Sequence, residues 1–256
     1  MHRRGTEQHP GIGEKNKRRI KIMIRALIET SLIDWDGKLT TVVFFDKCNF
    51  MCPFCQNWDL ILNPEKFPEI KWEEIENKLD KKRGWIDGVV LTGGEPLVYK
   101  KEAIDLCKKI KKLGLKVKLD TNGAFPRALE ELIEQNLLDY VAMDVKAPLN
   151  QAYFKAAGKK INLEHIKDSI EILKNNRVDY EFRTTCVPGI IDKNAITKIG
   201  EEIKGAKKWA LQAFIPGNAY KEEYRKELNS DYPKNLKEYL EIARGYVANT
   251  ILRAKI

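Results

Sequence analysis

No apolar run in the 256-residue sequence approaches the length of a membrane span. The run at 41–45 has only five β-branched and aromatic residues, which is the length of a strand. The first twenty residues are basic and polar, and they lack the apolar centre of a secretion signal. The sequence therefore predicts a cytoplasmic protein with no membrane partner.

Cysteine is scarce and odd in number, with five residues, so a disulfide framework is not expected. Three of the five, Cys48, Cys52 and Cys55, fall within eight residues, and such clustering indicates metal binding. Cys107 lies in a predicted helix and Cys186 in a predicted strand, and both are interpreted as buried side chains. No second cysteine cluster follows the first, which excludes additional ferredoxin-like clusters.

The net charge is +9, from 46 Lys and Arg against 37 Asp and Glu. A basic balance can indicate nucleic-acid binding. Here the lysines are interleaved with glutamates along the chain, which is typical of a solvated surface rich in ion pairs. Nucleic acid is therefore not expected as a partner.

Strands and helices alternate regularly from residue 40 onward. The pattern predicts six strands, at 40–45, 86–91, 115–119, 140–145, 180–187 and 209–214, and six helices, at 71–82, 101–113, 126–135, 163–175, 195–203 and 236–247. The last helix is expected to close the chain. Residues 1–22 lack periodicity and predict a mobile basic tail, with 23–256 as a single domain; Met23 is a second candidate for the native start.

Six β-then-α repeats predict an α/β fold of parallel strands joined by helical crossovers. Either an open doubly wound sheet or a partial (β/α)6 TIM-like barrel satisfies that pattern. The unusual residues all follow strand ends, which share one face of a barrel, and this placement favours the barrel.

The cysteines are spaced C-x3-C-x2-C, which fits one face of a helix, but Pro53 disfavours helical geometry and predicts a loop. Thiolates suit iron–sulfur clusters or zinc. Three cysteines can hold three irons of a cubane cluster and leave the fourth iron open to a chelating ligand. A zinc site with a distant fourth ligand is the alternative at this point, although His165 is a poor ligand candidate in its charged helix.

Further motifs follow the next strands. Gly93 and Gly94 come after the second strand, where glycines allow a close approach of backbone to ligand. Asp120 begins a DTNG segment after the third strand. Asp144 and Lys146 are two residues apart at the next strand end, and we expect them to pair because buried acids need partners.

These segments resemble the radical SAM superfamily, and within it the activating enzymes of glycyl-radical enzymes. The resemblance covers about 28–214 and includes a TSLIDWDGK opening at 30–38, the GGEP, DTNG and D-x-K segments, and Arg183 in EFRTT. Gln56 stands where a histidine is common in the family, and no histidine occurs near the last strand at 212–216. The implied fold is the radical SAM type of partial barrel.

The resemblance implies one [4Fe-4S] cluster on the three cysteines and S-adenosylmethionine (SAM) as the second cofactor. It also implies a set of residues that bind the cofactors. A monovalent cation, Na⁺ or K⁺, is implied beside the SAM carboxylate, and a second set of residues surrounds it. The cofactor-binding set is Phe54, Gln56, Gly93, Gly94, Asp144, Lys146 and Arg183, and the cation set is Asp120, Thr121, Met143 and Asp144.

The implied activity is reductive cleavage of SAM to a 5′-deoxyadenosyl radical, which abstracts hydrogen from a glycine of a partner enzyme. The expected partner is an anaerobic ribonucleotide reductase or a pyruvate formate-lyase-like enzyme, with flavodoxin or ferredoxin as electron donor. Two alternatives stay open: a radical SAM enzyme acting on a small molecule or an RNA nucleoside, and a zinc-stabilised nucleic-acid-binding module.

Overall fold

The computed structural model describes residues 24–175 and 177–254, so the predicted tail at 1–22 and the choice between Met1 and Met23 lie outside the described residues. Within these ranges, eight strands form one sheet in chain order. They are β1 (Ile24–Ser31), β2 (Thr40–Phe45), β3 (Gly88–Gly93), β4 (Lys116–Thr121), β5 (Tyr140–Asp144), β6 (Asp179–Cys186), β7 (Trp209–Ala213) and β8 (Thr250–Arg253).

The described helices pack along the sheet. They are α1 (Trp58–Leu62), α2 (Trp72–Lys81), α3 (Lys100–Lys112), α4 (Pro126–Glu134), α5 (Gln151–Ala157), α6 (Leu163–Asn175), α7 (Lys193–Glu202) and α8 (Tyr232–Arg244). Short 3₁₀ turns occur at Pro64–Lys66, Pro96–Tyr99 and Glu222–Tyr224. None of the helices in the described ranges is long and apolar enough to cross a bilayer.

The strands from β2 to β8 run parallel, and β1 pairs antiparallel with β2. Six crossovers therefore join seven parallel strands, which is the predicted α/β architecture of a partial (β/α)6 barrel. In the described part of the chain the sheet ends at β1 and at β8, so the barrel is open. The prediction missed both edge strands, and α8 is followed by β8 rather than closing the chain.

Alternate residues of each strand face opposite sides of the sheet. Outward residues pack with the helices in the main core, as Val43, Leu91 and Leu119 do in neighbouring strands. The inward side has a small separate cluster around Trp35, which comes from the β1–β2 loop. Most other inward positions of β4 to β6 are charged, so the barrel interior is polar where the active site is expected.

Ion pairs tie the two edges of the open sheet together at the pole where the parallel strands begin. Asp36, in the β1–β2 loop, accepts from Lys208 Nζ at 2.7 Å and from Arg253 Nη2 of β8 at 2.7 Å. Arg253 also pairs with buried Glu181 of β6, with Nη1 2.7 Å from Oε1. The loop and these side chains therefore link the two edges where no strand pairing does.

Candidate functional site

The cysteine loop, residues 46–57, follows β2 and contains no helix, as Pro53 predicted. A turn brings Cys55 N to Cys52 O at 3.0 Å, and Phe50 N donates to Cys48 Sγ at 3.4 Å. All five cysteines are free thiols. Cys107 and Cys186 are buried in the core away from this loop, in agreement with the sequence-based interpretation.

Two glycines hold the cysteine loop by close backbone approach. A Cβ atom on Gly94 would lie 2.0 Å from Lys47 O, and one on Gly158 would lie 1.9 Å from Met51 O. Gly158 ends α5 with φ +72°, a conformation that favours glycine. The loop is also bonded to Ala157, whose carbonyl oxygen is 2.8 Å from Met51 N.

A third contact comes from a segment that we call the strap, residues 215–225, which follows β7 and lies across the cysteine loop. Gln56 Nε2 donates to Ile215 O at 2.8 Å, and Lys221 N donates to Pro53 O at 2.8 Å. The ring of Phe54 meets that of Tyr224 with centroids 6.4 Å apart. The strap thus covers one side of the loop.

A cavity of about 430 Å³ opens at the ends of the parallel strands. It is lined by every residue of the predicted sets except one: Cys48, Cys52, Phe54, Cys55, Gln56, Gly93, Gly94, Asp120, Thr121, Asp144, Lys146 and Arg183. Exposed Gln56 and Ile215 are among its walls, so the cavity reaches the surface.

Met143 is the exception among the predicted residues. Its side chain is fully buried in the core, and its Cε lies against Gly123, so it does not line the cavity. The cause is strand alternation: Asp144 and Ala142 point inward from β5, which turns Met143 toward the helices.

Glu95 links the glycine turn to the DTNG segment and was missed as a site residue. Its buried carboxylate accepts hydrogen bonds from Leu97 N at 3.1 Å, Thr121 Oγ1 at 2.9 Å and Asn122 N at 2.6 Å. Burial raises the pKa of Glu95 to about 7, although these donors oppose the shift. The GGEP motif could have indicated this role, because a carboxylate next to two glycines can accept hydrogen bonds from the backbone N–H groups of nearby loops.

Two asparagines also hold the site and were not predicted. Asn57 Nδ2 donates to Gly93 O at 2.9 Å, and Asn122 Nδ2 donates to Asn49 Oδ1 at 2.8 Å. Asn122 Nδ2 is also 3.8 Å from Cys48 Sγ. These bonds join the cysteine loop to the turns after β3 and β4.

Alternating charges occupy the inner wall of the cavity. Arg183 bridges two carboxylates, with Nη1 3.1 Å from Asp120 Oδ2 and Nε 3.0 Å from Asp144 Oδ1. Lys146 Nζ is 3.0 Å from Asp144 Oδ2, which is the expected pair, and Lys118 Nζ is 3.0 Å from Asp120 Oδ1. This group of five side chains therefore consists of two carboxylates and three cationic side chains.

This charge pattern sets the ionisation of the acids. Burial alone would raise the pKa of Asp120, but the charges of Arg183 and Lys118 hold it below its usual value. Burial opposes ionisation of Asp144 as well, and Lys146 with Arg183 lowers its pKa. Both carboxyl groups are therefore ionised near neutral pH.

The cysteine thiols have the opposite tendency. Burial raises the pKa of Cys48 to about 12 and that of Cys52 to about 11, and it raises the pKa of Cys55 as well. Iron binds the thiolate, so metal must displace the proton from each sulfur. Without metal the three groups are neutral thiols.

The residues fit a cluster better than a single ion. No three or more His, Cys, Asp or Glu side chains converge on one ion position anywhere in 24–175 and 177–254. A cubane cluster instead binds each thiolate to a different iron. Trp58 Nε1 is buried without a hydrogen-bond partner in the described chain, and Trp58 borders a second cavity of about 30 Å³ with all three cysteines. A cluster sulfur is an acceptor that such a donor lacks.

His165 is the one histidine in the described ranges, and it lies in a separate groove lined by α4 and α6 residues. The wall near the last strands consists of Gln212, Ala213, Phe214 and Ile215. Among the residues that the structure describes, none of those lining the cavity is a histidine.

Known proteins with similar sequences belong to the family that the motifs indicated. The model of the radical SAM superfamily matches residues 42–197. A protein of Methanocaldococcus jannaschii, provisionally named a glycyl-radical enzyme activating enzyme, is 35% identical over 238 residues, or 91% of this chain and 97% of that protein. The pyruvate formate-lyase-activating enzyme of Clostridium pasteurianum is 28% identical, over 82% of this chain and 87% of that enzyme.

Solved structures are similar in fold. Streptococcus suis SuiB gives a TM-score of 0.63 at 13% identity, over 81% of this chain and 47% of that chain. A radical SAM methyltransferase from Sphaerobacter thermophilus also gives 0.63, at 14% identity, over 86% and 67% of the two chains. At such low identity the likeness is one of fold alone.

Proposed function

This chain belongs to the radical SAM superfamily, and on that premise we propose that it generates a glycyl radical on a partner enzyme. Membership in the family implies a [4Fe-4S] cluster and SAM as cofactors and makes the chain an enzyme of SAM-dependent radical generation. One observation carries the finer assignment: the three cysteines share one open cavity with the glycine turn and the charges of β4 to β6. The relatives named as activating enzymes support the choice of a glycyl-radical enzyme as partner.

In the proposal, Cys48, Cys52 and Cys55 hold the cluster, which when bound supplies one electron to the sulfonium of SAM. The carbonyl groups of the Gly93–Gly94 turn accept from the amino group of SAM. Lys146 and Arg183 meet its carboxylate or ribose, and Phe54 packs near its adenine. Each of these groups lines the cavity.

The bound cofactors would supply a 5′-deoxyadenosyl radical, since one electron breaks the bond between the sulfur and the 5′ carbon of SAM and leaves methionine. That radical would take one hydrogen atom from a glycine Cα of the partner, which yields 5′-deoxyadenosine and a glycyl radical. The protein orients the reacting atoms and excludes water from the radical. The open mouth beside Gln56 and Ile215 supports a protein loop as substrate, since a closed cavity would admit only a small molecule.

Three finer parts remain proposals. The electron donor is a low-potential flavodoxin or ferredoxin, because the reaction needs single electrons. The location is cytoplasmic, because free thiols suit a reducing compartment. The alkali cation fits the described residues least well, because the carboxylates of Asp120 and Asp144 already have cationic partners.

The test is anaerobic reconstitution with iron and sulfide, followed by dithionite and SAM. We expect 5′-deoxyadenosine from the wild type and from Cys107→Ser, and none from Cys52→Ser. A candidate partner enzyme is then added, and electron paramagnetic resonance should detect a glycyl radical that disappears when the partner's glycine is replaced by alanine.

Other results would support the alternatives. Formation of 5′-deoxyadenosine with no radical on any candidate partner would favour a small-molecule or RNA-nucleoside substrate. Protein that retains zinc but binds no iron or sulfide would contradict the proposal and favour the zinc-stabilised module.

A further inference from the structure

Asp120 and Asp144 are two neighbouring carboxylates in one site, at the ends of adjacent strands. Two ionised acids in a partly desolvated cavity repel each other, so a cation must accompany them. The resemblance assigns that task to Na⁺ or K⁺. The described residues already supply the positive charge.

Each of the four carboxylate oxygens has a cationic nitrogen close by. Asp120 has Lys118 Nζ at 3.0 Å from Oδ1, in an ion pair that leaves this buried oxygen without a hydrogen bond, and Arg183 Nη1 at 3.1 Å from Oδ2. Asp144 has Arg183 Nε at 3.0 Å from Oδ1 and Lys146 Nζ at 3.0 Å from Oδ2. In this group of five side chains, three positive charges face two negative ones. The group therefore has a net charge of +1 before any ligand binds.

That balance suits SAM better than a metal ion. The negative charge of the SAM carboxylate would bring the net charge beside these five side chains to zero, whereas an alkali ion would first raise it to +2. The remaining members of the expected cation set do not offer free side chains either. The Thr121 hydroxyl donates to Glu95 and accepts from Gly123 N at 3.2 Å, and the Met143 side chain is packed in the core.

Lys118 supplies one of the three positive charges. Its side chain is 3% exposed and points into the barrel, because it shares the strand alternation of Asp120 two residues later. Its ammonium group also donates to the backbone oxygen of Asp34, which fixes its position. Lysine is rarely buried unless it is paired, and the inward-facing Asp120 provides the pair.

We propose that Lys118, together with Arg183, takes the place of the monovalent cation, so that SAM binding by this protein does not depend on Na⁺ or K⁺. Lys118 is a positioning residue: it would act by holding Asp120 in place and by supplying a positive charge to the site that receives the SAM carboxylate. The inference rests on the proposed function in one respect only, that SAM is the ligand of the cavity.

The test measures SAM binding to anaerobically reconstituted holoenzyme by equilibrium titration. Buffers of equal ionic strength contain choline, Na⁺ or K⁺ as the only monovalent cation. We expect wild-type Kd values that agree within about twofold, since an ion that does not bind has no coupling to SAM. Wild-type binding that weakens about tenfold or more in choline would overturn the proposal.

Variants sharpen the result. Lys118→Met removes the charge and keeps the length of the side chain, so it should bind SAM about tenfold more weakly in choline and regain affinity with Na⁺ or K⁺. Lys118→Arg should stay independent of the cation, and so should Lys116→Met, which changes an exposed lysine on the same strand. If Lys118→Met binds SAM equally well in choline, the proposal is wrong.

The outcomes separate this inference from the proposed function. No SAM binding in any buffer would contradict the function, whereas tight but cation-dependent binding by the wild type would contradict only the role of Lys118. If Lys118→Met does not fold, the wild type and Lys118→Arg still decide the question.

Discussion

Glu95 shows how one buried carboxyl group makes the site sensitive to pH. It has no solvent exposure, and it joins the turn after β3 to the turn after β4 through three hydrogen bonds. Its pKa rises to about 7 in the folded protein because burial disfavours the charge, against an ordinary value of 4.5. The folded state therefore binds the proton more tightly than the unfolded chain does.

The sign of the stability effect follows from that difference. The stabilising contribution is fully present below pH 4.5 and is lost as pH rises through 7. Relative to Glu95→Gln, which does not titrate, wild-type protein should lose about 2.5 kcal/mol of unfolding free energy between pH 5 and pH 8.5. Chemical denaturation of both proteins at the two pH values measures this, and parallel pH profiles would refute it.

Other single residues had roles that the sequence suggested only in part. Gln56, expected to bind cofactor, lines the cavity but uses its side-chain amide to hold the strap. Asn122 is the third residue of DTNG and donates to Asn49, one residue after the first cysteine. Local sequence cannot reveal such a pair, because 73 positions separate its members.

At the scale of elements, the cysteine loop depends on three neighbours rather than on its own conformation. The turn after β3, the end of α5 and the strap each bond to its backbone or pack against it. A loop without repetitive hydrogen bonds keeps its shape only when its surroundings fix it. Changes outside the loop should therefore alter cluster binding.

Gly158→Ala tests that dependence. Its new Cβ would overlap Met51 O, so the cysteine loop must shift, and we expect a large loss of bound iron and sulfide after reconstitution. Gly114→Ala is the matched control: its φ is +76°, close to the +72° of Gly158, but no atom lies within 4 Å of its Cβ. Both should lose about 1 kcal/mol of stability from backbone strain.

Iron and sulfide analysis per chain distinguishes the two causes. Normal iron content in Gly158→Ala would mean that the loop does not need this contact. Low content in both variants would point to general destabilisation instead.

At the scale of the whole molecule, the open barrel depends on charges to join its edges. Arg253 of β8 contacts Asp36 beside β2 and also Glu181, which is 1% exposed. A buried carboxylate that loses its partner is costly, whereas an exposed ion pair contributes little. The ion pairs that join the two sheet edges, which we call the seam, should therefore contribute more to the free energy of unfolding than exposed surface pairs do.

Arg253→Met should lower the unfolding free energy by about 3 kcal/mol, because Glu181 loses its arginine and keeps the Lys208 contact at 3.3 Å and a hydrogen bond from the Tyr140 hydroxyl at 3.2 Å. Arg244→Met is the control, since it removes an exposed pair with Glu241 on α8 and should cost under about 0.5 kcal/mol. Urea denaturation measures the unfolding free energy of both variants. Equal losses would show that the seam contributes no more to stability than an exposed ion pair does.

Periodicity and spacing were sufficient for the α/β class, for the parallel strands between β2 and β7, and for the loop at Cys48–Cys55. These features depend on near neighbours in the chain: alternating apolar residues, helix-ending glycines and Pro53. The edges β1 and β8 escaped prediction because β8 has only four residues and β1 carries charged residues on its exposed side.

The remaining features depended on contacts between distant parts of the chain. Strand alternation alone could have placed Lys118 beside Asp120 and turned Met143 away from Asp144, but nothing local could indicate that Lys118 also donates to the backbone oxygen of Asp34 or that the strap crosses the cysteine loop. Which side of a strand faces the interior follows from how the whole sheet curves and packs. The sequence by itself determined which residue types stand at the strand ends. Which partners these residues contact was decided only by the tertiary packing of the sheet, the loops and the strap.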